Sequence, residues 1–237
     1  MTRRKLELTA RLQLLADWVP QGAALADVGT DHGYLPVWLT LRDRLTSAIA
    51  SDLRRGPLNR GMETALEYGV ADRIDFRLCD GLRGVGPEEA DVVVIAGMGG
   101  ENIASILSRT PWAADGRHTL LLQPMTRAEE LRTYLCASGF AIRREQAVED
   151  RGVLYPVLEA GAGTQALSLG RRAGGAFPEN DPLGKRYIIE QIIRLQGAVA
   201  GLNRSAVPED AEKADRLREI LGSLLELREE WRHVNGS

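Results

Sequence analysis

Apolar residues at helical spacing open the chain. They are Leu8, Leu12, Leu15 and Val19. The spacing alternates between four and three residues and ends before Pro20, which predicts an amphipathic helix over this stretch.

Five apolar runs of strand length follow this helix. They cover residues 23–27, 47–52, 74–80, 91–96 and 119–123. The segments between them, such as 56–68 and 101–108, are long enough for helices. Alternating strands and helices are typical of a parallel sheet covered on both faces. The pattern therefore predicts a doubly wound α/β domain.

The alternation stops after residue 140. Residues 141–148 and 153–160 have the composition of strands, and the turn-rich segment 149–152 between them is short enough for a β-hairpin. We expect this antiparallel pair to close the sheet.

The C-terminal part has a different pattern. Residues 161–182 are rich in glycine and contain Pro178 and Pro182, so they are predicted to form a linker. Two heptad-type apolar stripes then predict an antiparallel, coiled-coil-like helical hairpin over residues 183–237. Two ordinary helices packed on the domain would explain the stripes almost as well. The predicted main domain, with its N-terminal helix, covers residues 1–160.

Composition is typical of a globular protein. Hydrophobic residues make up 44% and charged residues 27% of the 237, and the net charge of −3 gives no overall attraction to nucleic acid. Cys79 and Cys136 lie far apart without metal-ligand spacing, so we expect neither a disulfide framework nor a metal site. Neither a secretory signal nor a membrane span is apparent, which predicts a cytoplasmic protein.

The sequence GTDHGYLP at residues 29–36 follows the first predicted strand, where nucleotide-binding turns occur. In a GxGxxG turn counted from Gly29, Asp31 and Tyr34 take the places of the second and third glycines. A carboxylate there would repel a pyrophosphate bound at the helix N-terminus. S-adenosylmethionine carries a sulfonium and an ammonium group instead, so acidic residues around the turn favour it as the cofactor.

Acidic residues also end the next two predicted strands. Asp52 could accept hydrogen bonds from ribose hydroxyls, and Asp80 could accept one from the adenine amino group. A single Asp at such a position is more often a helix cap, but the joint pattern favours a cofactor site. The residues predicted to bind the cofactor are Asp27, Gly29, Gly33, Asp52, Asp80, Gly81 and Gly97.

Three motifs resemble those of a known family. DVGTDHGYLP at 27–36, IAGMGG at 95–100 and LQP at 122–124 are similar to motifs of the bacterial tRNA adenine-22 N1-methyltransferases. The resemblance runs over nearly the whole chain and is strongest over residues 6–160. It implies a class I methyltransferase fold with a mostly parallel seven-stranded sheet, S-adenosylmethionine as methyl donor, and N1 of an adenine in tRNA as acceptor.

The chemistry implied by this resemblance needs positioning more than proton transfer. Neutral adenine presents a lone pair at N1 and loses no proton when it attacks the sulfonium methyl group, so a general base is not obligatory. We assign catalytic roles to Asp31 and His32, on the acceptor side of the methyl group, and to Tyr34, which holds the turn or stacks. The alternative is that Asp31 caps the following helix and His32 only packs.

The remaining candidates concern the substrate. IAGMGG stands where methyltransferases that act on exocyclic amines often carry an Asn/Asp-Pro-Pro-aromatic motif, so its presence argues against amino-group methylation. The residues predicted to contact the substrate are Met98, Gly99, Gln123, Pro124, Tyr155 and Arg11. For Tyr155, a structural position in the core or at the edge is the stronger alternative.

The sequence leaves other functions open. We expect tRNA as the partner of a monomer, with basic residues near the start of the helical hairpin as a second contact. A small-molecule methyltransferase of the same fold, or a non-catalytic docking protein that binds S-adenosylmethionine, would carry the same strand-end acids.

Overall fold

The structure, a computed structural model, describes residues 5–205 and 207–234, with side chains up to residue 231. Its centre is a seven-stranded sheet of order β3-β2-β1-β4-β5-β7-β6. The strands are β1 (Ala23–Val28), β2 (Leu45–Asp52), β3 (Asp75–Leu78), β4 (Val92–Met98), β5 (Thr119–Pro124), β6 (Phe140–Asp150) and β7 (Val153–Ala162).

The first five strands are parallel, and the last two form an antiparallel hairpin that joins the sheet through β7. This arrangement confirms the predicted α/β architecture and the closing hairpin. In register, Asp27 lies opposite Ala50 of β2 and Val94 of β4, so these parallel strands end together at one edge of the sheet.

Helices cover both faces of the sheet. They are α1 (Ala10–Trp18), α2 (Tyr34–Thr40), α3 (Arg55–Tyr68), α4 (Gly100–Ser108), α5 (Ala128–Ala137), α6 (Leu169–Gly174), α7 (Pro182–Leu202) and α8 (Pro208–Val234). Alternate residues of β4 enter different hydrophobic clusters, because successive side chains of a strand point to opposite faces. Val93 packs with α4 and α5, and Val94 packs with α1 and α2.

The N-terminal helix begins later than its apolar stripe predicts. Thr9 has an extended backbone (φ −66°, ψ 161°), so helix α1 starts at Ala10, and Leu8 packs against the cluster from outside the helix. Leu15 is fully buried, and Val19 follows the last helical residue. The helix thereby holds Arg11 near the carboxyl edge of the sheet.

The segment predicted as a linker, residues 161–182, contains helix α6. Its neighbour Ala176 donates a backbone hydrogen bond to Glu145 of β6 (2.8 Å), and Glu145 forms a fully buried ion pair with Arg132 of α5 (2.6 Å). Arg132 also donates to the backbone oxygen of Arg172 in α6 (2.6 Å). The segment is therefore packed onto the domain, a difference that its glycine content did not indicate.

The two C-terminal helices pack on each other and on the sheet. Leu195 of α7 and Leu224 of α8 share a buried cluster with Ala147 of β6 and Leu154 of β7. The structure thus combines the two alternatives for the apolar stripes, a helix pair and helices packed on the domain. Residues 235–237 of the predicted hairpin lie outside the described residues, and the division into domains stays a prediction.

In the described ranges, no helix combines the length and apolar character that crossing a membrane requires.

Candidate active site

The turn after β1 is formed by residues with left-handed backbone conformations. Gly29 (φ 77°), Asp31 (φ 43°) and Gly33 (φ 66°) all lie in this region, which favours glycine. The N–H groups of Gly29 and Thr30 donate to the carbonyl oxygen of Ser51 in β2, at 2.8 and 3.0 Å. A Cβ at Gly29 would lie 2.7 Å from Cε of Met98, the far end of a flexible side chain, so the left-handed backbone favours glycine there more than this contact does.

Asp27 is the most perturbed acid at this edge. It is 6% exposed, and burial raises its pKa from 3.8 to about 6. The hydroxyl of Thr30 donates to its Oδ2 (2.6 Å) and lowers the pKa, whereas the charge of Asp52 raises it further. An ionised Asp27 is therefore costly in the free protein, and a positively charged ligand group beside it would relieve that cost.

One cavity, of about 430 Å³, lies beyond the ends of β1, β2 and β3. We call it the carboxylate cavity because Asp52 and Asp80 line it, together with Gly81 and Met98. Asp52 accepts a backbone hydrogen bond from Arg54 (2.8 Å), so one of its two oxygens is engaged in the turn before α3.

Arg109, which directly follows helix α4, binds the second acid of the carboxylate cavity. It donates to both oxygens of Asp80, at 2.5 and 3.3 Å, and lowers the pKa of that carboxyl. Asp80 therefore stays ionised, and an adenine amino group would have to share its oxygens with the guanidinium of Arg109.

A second cavity, of about 500 Å³, adjoins the first. We call it the acceptor cavity; Asp27, His32, Tyr34 and Arg11 are among its lining residues. The two cavities share the wall formed by Gly29, Asp31, Ala96 and Gly97. A Cβ at Gly97 would meet no atom within 4 Å, so this glycine presents open backbone to both cavities.

The three predicted catalytic residues line the acceptor cavity. The rings of His32 and Tyr34 are stacked, with centroids 5.1 Å apart and planes within 6°. The carboxylate of Asp31 forms an ion pair with Arg60 of α3 and lies 3.8 Å from Nε2 of His32. Asp31 precedes α2 in a left-handed conformation and lines both cavities.

Arg11 links the acceptor cavity to the sheet. Its guanidinium donates to Asp150 (2.7 Å) and to Oε1 of Gln123 (2.7 Å) and lies over the ring of Tyr155, at 5.3 Å from the centroid. Oε1 of Gln123 also accepts the N–H of Gly97 (3.2 Å). Gln123 is fully buried, so its amide positions Arg11 and the Gly97 turn from beneath the cavities.

The other predicted substrate residues are spread over the edge. Met98 lines the carboxylate cavity, Gly99 precedes helix α4, and Pro124 and Tyr155 line a third cavity beside the acceptor cavity. Residues that the sequence analysis missed also line the first two cavities: Thr9, Thr30, Arg54, Asn102, Arg109, Met125 and Arg151. Thr30, inside the quoted turn, is the one that a closer reading of the motif could have found.

The carboxylates and the glycines of this edge show whether S-adenosylmethionine, the predicted cofactor, fits the site. S-adenosylmethionine requires partners for an ammonium group, a sulfonium group and ribose hydroxyls, and the edge offers the carboxylates of Asp27 and Asp52. It also requires backbone that approaches closely, which Gly29 and Gly97 provide. The residues present therefore fit the cofactor.

Comparisons with known proteins agree with this site. Residues 8–158 match the family model described as a methyltransferase domain. The chain is 33% identical, over 235 residues, to the tRNA (adenine(22)-N(1))-methyltransferase of Bacillus subtilis (strain 168), with 92% of this chain and 98% of the relative covered.

Two solved structures have the same fold over nearly the whole chain. The m1A22 tRNA methyltransferase TrmK of B. subtilis has a TM-score of 0.85 at 30% identity, with 94% of this chain and 100% of that chain covered. A putative tRNA (m1A22) methyltransferase of Streptococcus pneumoniae, solved in complex with S-adenosyl-L-methionine, has a TM-score of 0.81 at 31% identity and the same coverage.

Fold, strand-end carboxylates and paired cavities define a class I methyltransferase that uses S-adenosylmethionine. At the identity and coverage found, the chain belongs to the tRNA (adenine(22)-N(1))-methyltransferase family.

Proposed function

We propose that the protein transfers the methyl group of S-adenosylmethionine to N1 of adenine 22 in tRNA. The observation that carries this proposal is the common wall of the two cavities at Gly29, Asp31, Ala96 and Gly97. The cofactor would span this junction, with its ribose at Asp52 in the carboxylate cavity and its ammonium group at Asp27 in the acceptor cavity. Its methyl group would then lie beside the bare backbone of Gly29 and Gly97 and face a base bound in the acceptor cavity. Family membership supplies the identity of the base.

The chain's own groups divide the work of holding the cofactor. The buried carboxylate of Asp27, which lines the acceptor cavity, would pair with the ammonium group of the cofactor. The carboxylate of Asp52 would accept hydrogen bonds from the ribose through the oxygen that Arg54 leaves open. When bound, the cofactor supplies an electrophilic methyl group on a sulfonium.

The acceptor cavity matches a reaction that needs orientation without a general base. The stacked rings of His32 and Tyr34 form a flat, half-exposed surface on which an adenine can lie. Asp31, at the shared wall, would stabilise the positive charge that the base acquires, and Arg60 holds its carboxylate in place. Orientation of this kind accounts for a large part of many enzymatic accelerations.

A base inside folded tRNA must leave its stack, which costs a few kcal/mol and requires contacts elsewhere on the RNA. We place one such contact at the basic start of α7, where Lys185 and Arg186 lie. Because α7 and α8 share a buried cluster with the sheet, deleting them would expose that core, and a charge change is the better test. Lys185→Glu should weaken tRNA binding, and Lys213→Glu near the start of α8 should not; equal effects would contradict the placement.

The remaining proposals follow from the substrate. A protein that modifies tRNA would act in the cytoplasm, and one chain carries every residue assigned to the site, so we propose a monomer.

The central experiment compares two tRNA transcripts that differ only at position 22. The purified protein is incubated with labelled S-adenosylmethionine and each transcript, and the digested product is identified by mass spectrometry. We expect N1-methyladenosine from the transcript with adenine and no label in the transcript with guanine. Label in both transcripts, or in neither, would refute the proposed site of methylation.

Asp31→Asn tests the catalytic assignment in the same assay. We expect kcat to fall while the affinity for S-adenosylmethionine stays close to that of the unaltered protein. Unchanged turnover would show that Asp31 serves only the turn.

A further inference from the structure

A third cavity, of about 550 Å³, lies beside the acceptor cavity and has no role in the proposed reaction. We call it the side cavity. The end of β5, the first turn of α5, strand β7 and helices α6 and α7 form its walls. The lining residues used below are Met125, Arg127, Glu129, Tyr155, Gln191 and Arg194.

The side cavity is continuous with the place proposed for the target adenine. Met125 lines both cavities. Tyr155 lines the side cavity and carries on its ring the guanidinium of Arg11, which lines the acceptor cavity (5.3 Å). The two cavities are therefore adjacent, as binding sites for neighbouring nucleotides have to be.

The charges in the side cavity are balanced. Arg127 pairs with Glu130 at 3.0 Å and with Glu101 at 3.2 Å. Across the cavity, the charge of Arg194 acts on Glu129, whose pKa is raised mainly by burial and then by the neighbouring Glu130. A phosphate prefers a site of net positive charge, and the carboxylates here would repel it.

The polar groups suit a flat, uncharged ligand. Gln191 offers an amide donor and an amide acceptor, and the half-buried ring of Tyr155 offers an apolar face. Stacking on an aromatic side chain, together with hydrogen bonds to the base edge, is how proteins recognise unstacked RNA bases. The lining thus offers the aromatic face and the hydrogen-bonding groups that an unstacked nucleobase requires.

We propose that the side cavity binds the base of a nucleotide directly next to the target adenine in the tRNA, and that this contact contributes to the choice of substrate. The inference rests on the proposed function, because it takes the acceptor cavity as the site of the adenine. It assigns to Gln191 and Tyr155 a role in reading the neighbouring base.

The test removes the base and keeps the phosphate. Three tRNAs carry adenine at position 22; one is intact, one is abasic at position 21 and one is abasic at position 23. We expect the unaltered protein to lose about tenfold in kcat/KM on one of the two abasic tRNAs, equal to about 1.4 kcal/mol. In Gln191→Ala, the ratio between intact and abasic tRNA should fall by at least about half, because the side chain that reads the base is gone.

The control is Gln196→Ala, an exposed glutamine on the same helix outside the cavity. Circular dichroism and affinity for S-adenosylmethionine show whether each variant is folded. Equal rates on all three tRNAs, or a Gln191→Ala variant that behaves like Gln196→Ala, would overturn the inference while the proposed function stands. If the unaltered protein does not methylate the intact tRNA, the proposed function itself fails.

Discussion

Replacing the buried carboxyl of Asp27 should have opposite effects on the stability of the protein and on its affinity for the cofactor. Asp27→Asn keeps the shape of the side chain and an oxygen that can accept from Thr30. It removes the negative charge that burial makes unfavourable. We therefore expect a free protein that is more stable at neutral pH and binds S-adenosylmethionine more weakly.

The magnitude follows from the pKa. Burial raises the pKa of Asp27 from 3.8 to about 6, which corresponds to a cost of about 3 kcal/mol when the group is ionised. The folded state holds the proton more tightly than the unfolded chain, so stability from this group is fully present below the unfolded pKa and is lost as pH rises through about 6. The gain on substitution is at most about 3 kcal/mol, because the new amide must itself be buried.

Urea unfolding measures this effect directly. At about pH 7.5 the midpoint for Asp27→Asn should exceed that of the unaltered protein at an unchanged m-value, and the difference should shrink as the pH falls to about 4. Asp72→Asn is the control, because Asp72 is exposed and its replacement should change stability by no more than about 0.5 kcal/mol.

Cofactor binding should respond in the opposite direction. Loss of an ionic hydrogen bond to the ammonium group lowers affinity by about tenfold or more. In the unaltered protein, affinity should rise between about pH 5 and pH 7, as Asp27 loses its proton, and this rise should be absent in Asp27→Asn. A variant that is less stable at neutral pH, or that binds the cofactor with unchanged affinity and pH dependence, would refute the reasoning.

Three further substitutions test other parts of the site. Gly29→Ala places a Cβ at a φ of 77° in the lining of both cavities and should weaken cofactor binding, whereas Gly116→Ala, at a φ of 91° with no atom within 4 Å and outside both linings, should leave binding intact in calorimetry. Arg11→Lys removes the guanidinium that donates to both Asp150 and Gln123, and it should lower kcat about tenfold with unchanged cofactor affinity. An equal loss of cofactor affinity would contradict a role of Arg11 on the acceptor side. Arg132→Met leaves the carboxylate of Glu145 buried without its ionic partner and should lower the free energy of unfolding in urea by about 3–5 kcal/mol. Adding Glu145→Leu should restore most of this loss, and an additive second loss would disprove the coupling.

The centre of the sheet could be predicted from the sequence because strands β1, β4 and β5 are buried on both faces over most of their length. Apolar runs such as 91–96 have few alternative structures, and an acid at the end of each of the first three runs, Asp27, Asp52 and Asp80, marks the polar edge. Helix α6 could not be predicted in this way. Its six residues include two glycines, Gly170 and Gly174, and the neighbouring arginines Arg171 and Arg172, a composition that resembles a loop until tertiary contacts are known.

The cavities themselves depend on contacts between distant segments. The pairs Asp31 with Arg60 and Asp80 with Arg109 each span 29 residues, and nothing in the local pattern connects their members. Gln123 illustrates a different limit. Its position after a strand suggested contact with substrate, but its complete burial places it beneath the site, where it holds Arg11 and Gly97.

The glycine-rich segment 161–182 and helix α7, whose sequences were the least informative, complete the walls of the side cavity. Helix α7 supplies Gln191 and Arg194 to the side cavity, and the guanidinium of Arg132 lies over the ring of Tyr187 in the same helix, 6.0 Å from its centroid. The buried pair of Arg132 and Glu145 therefore fixes α7 relative to α5, whose first turn forms the opposite wall. A loose linker would leave that cavity without a defined shape. Packing of residues 161–182 is thus a condition for base recognition beside the methyl-transfer site.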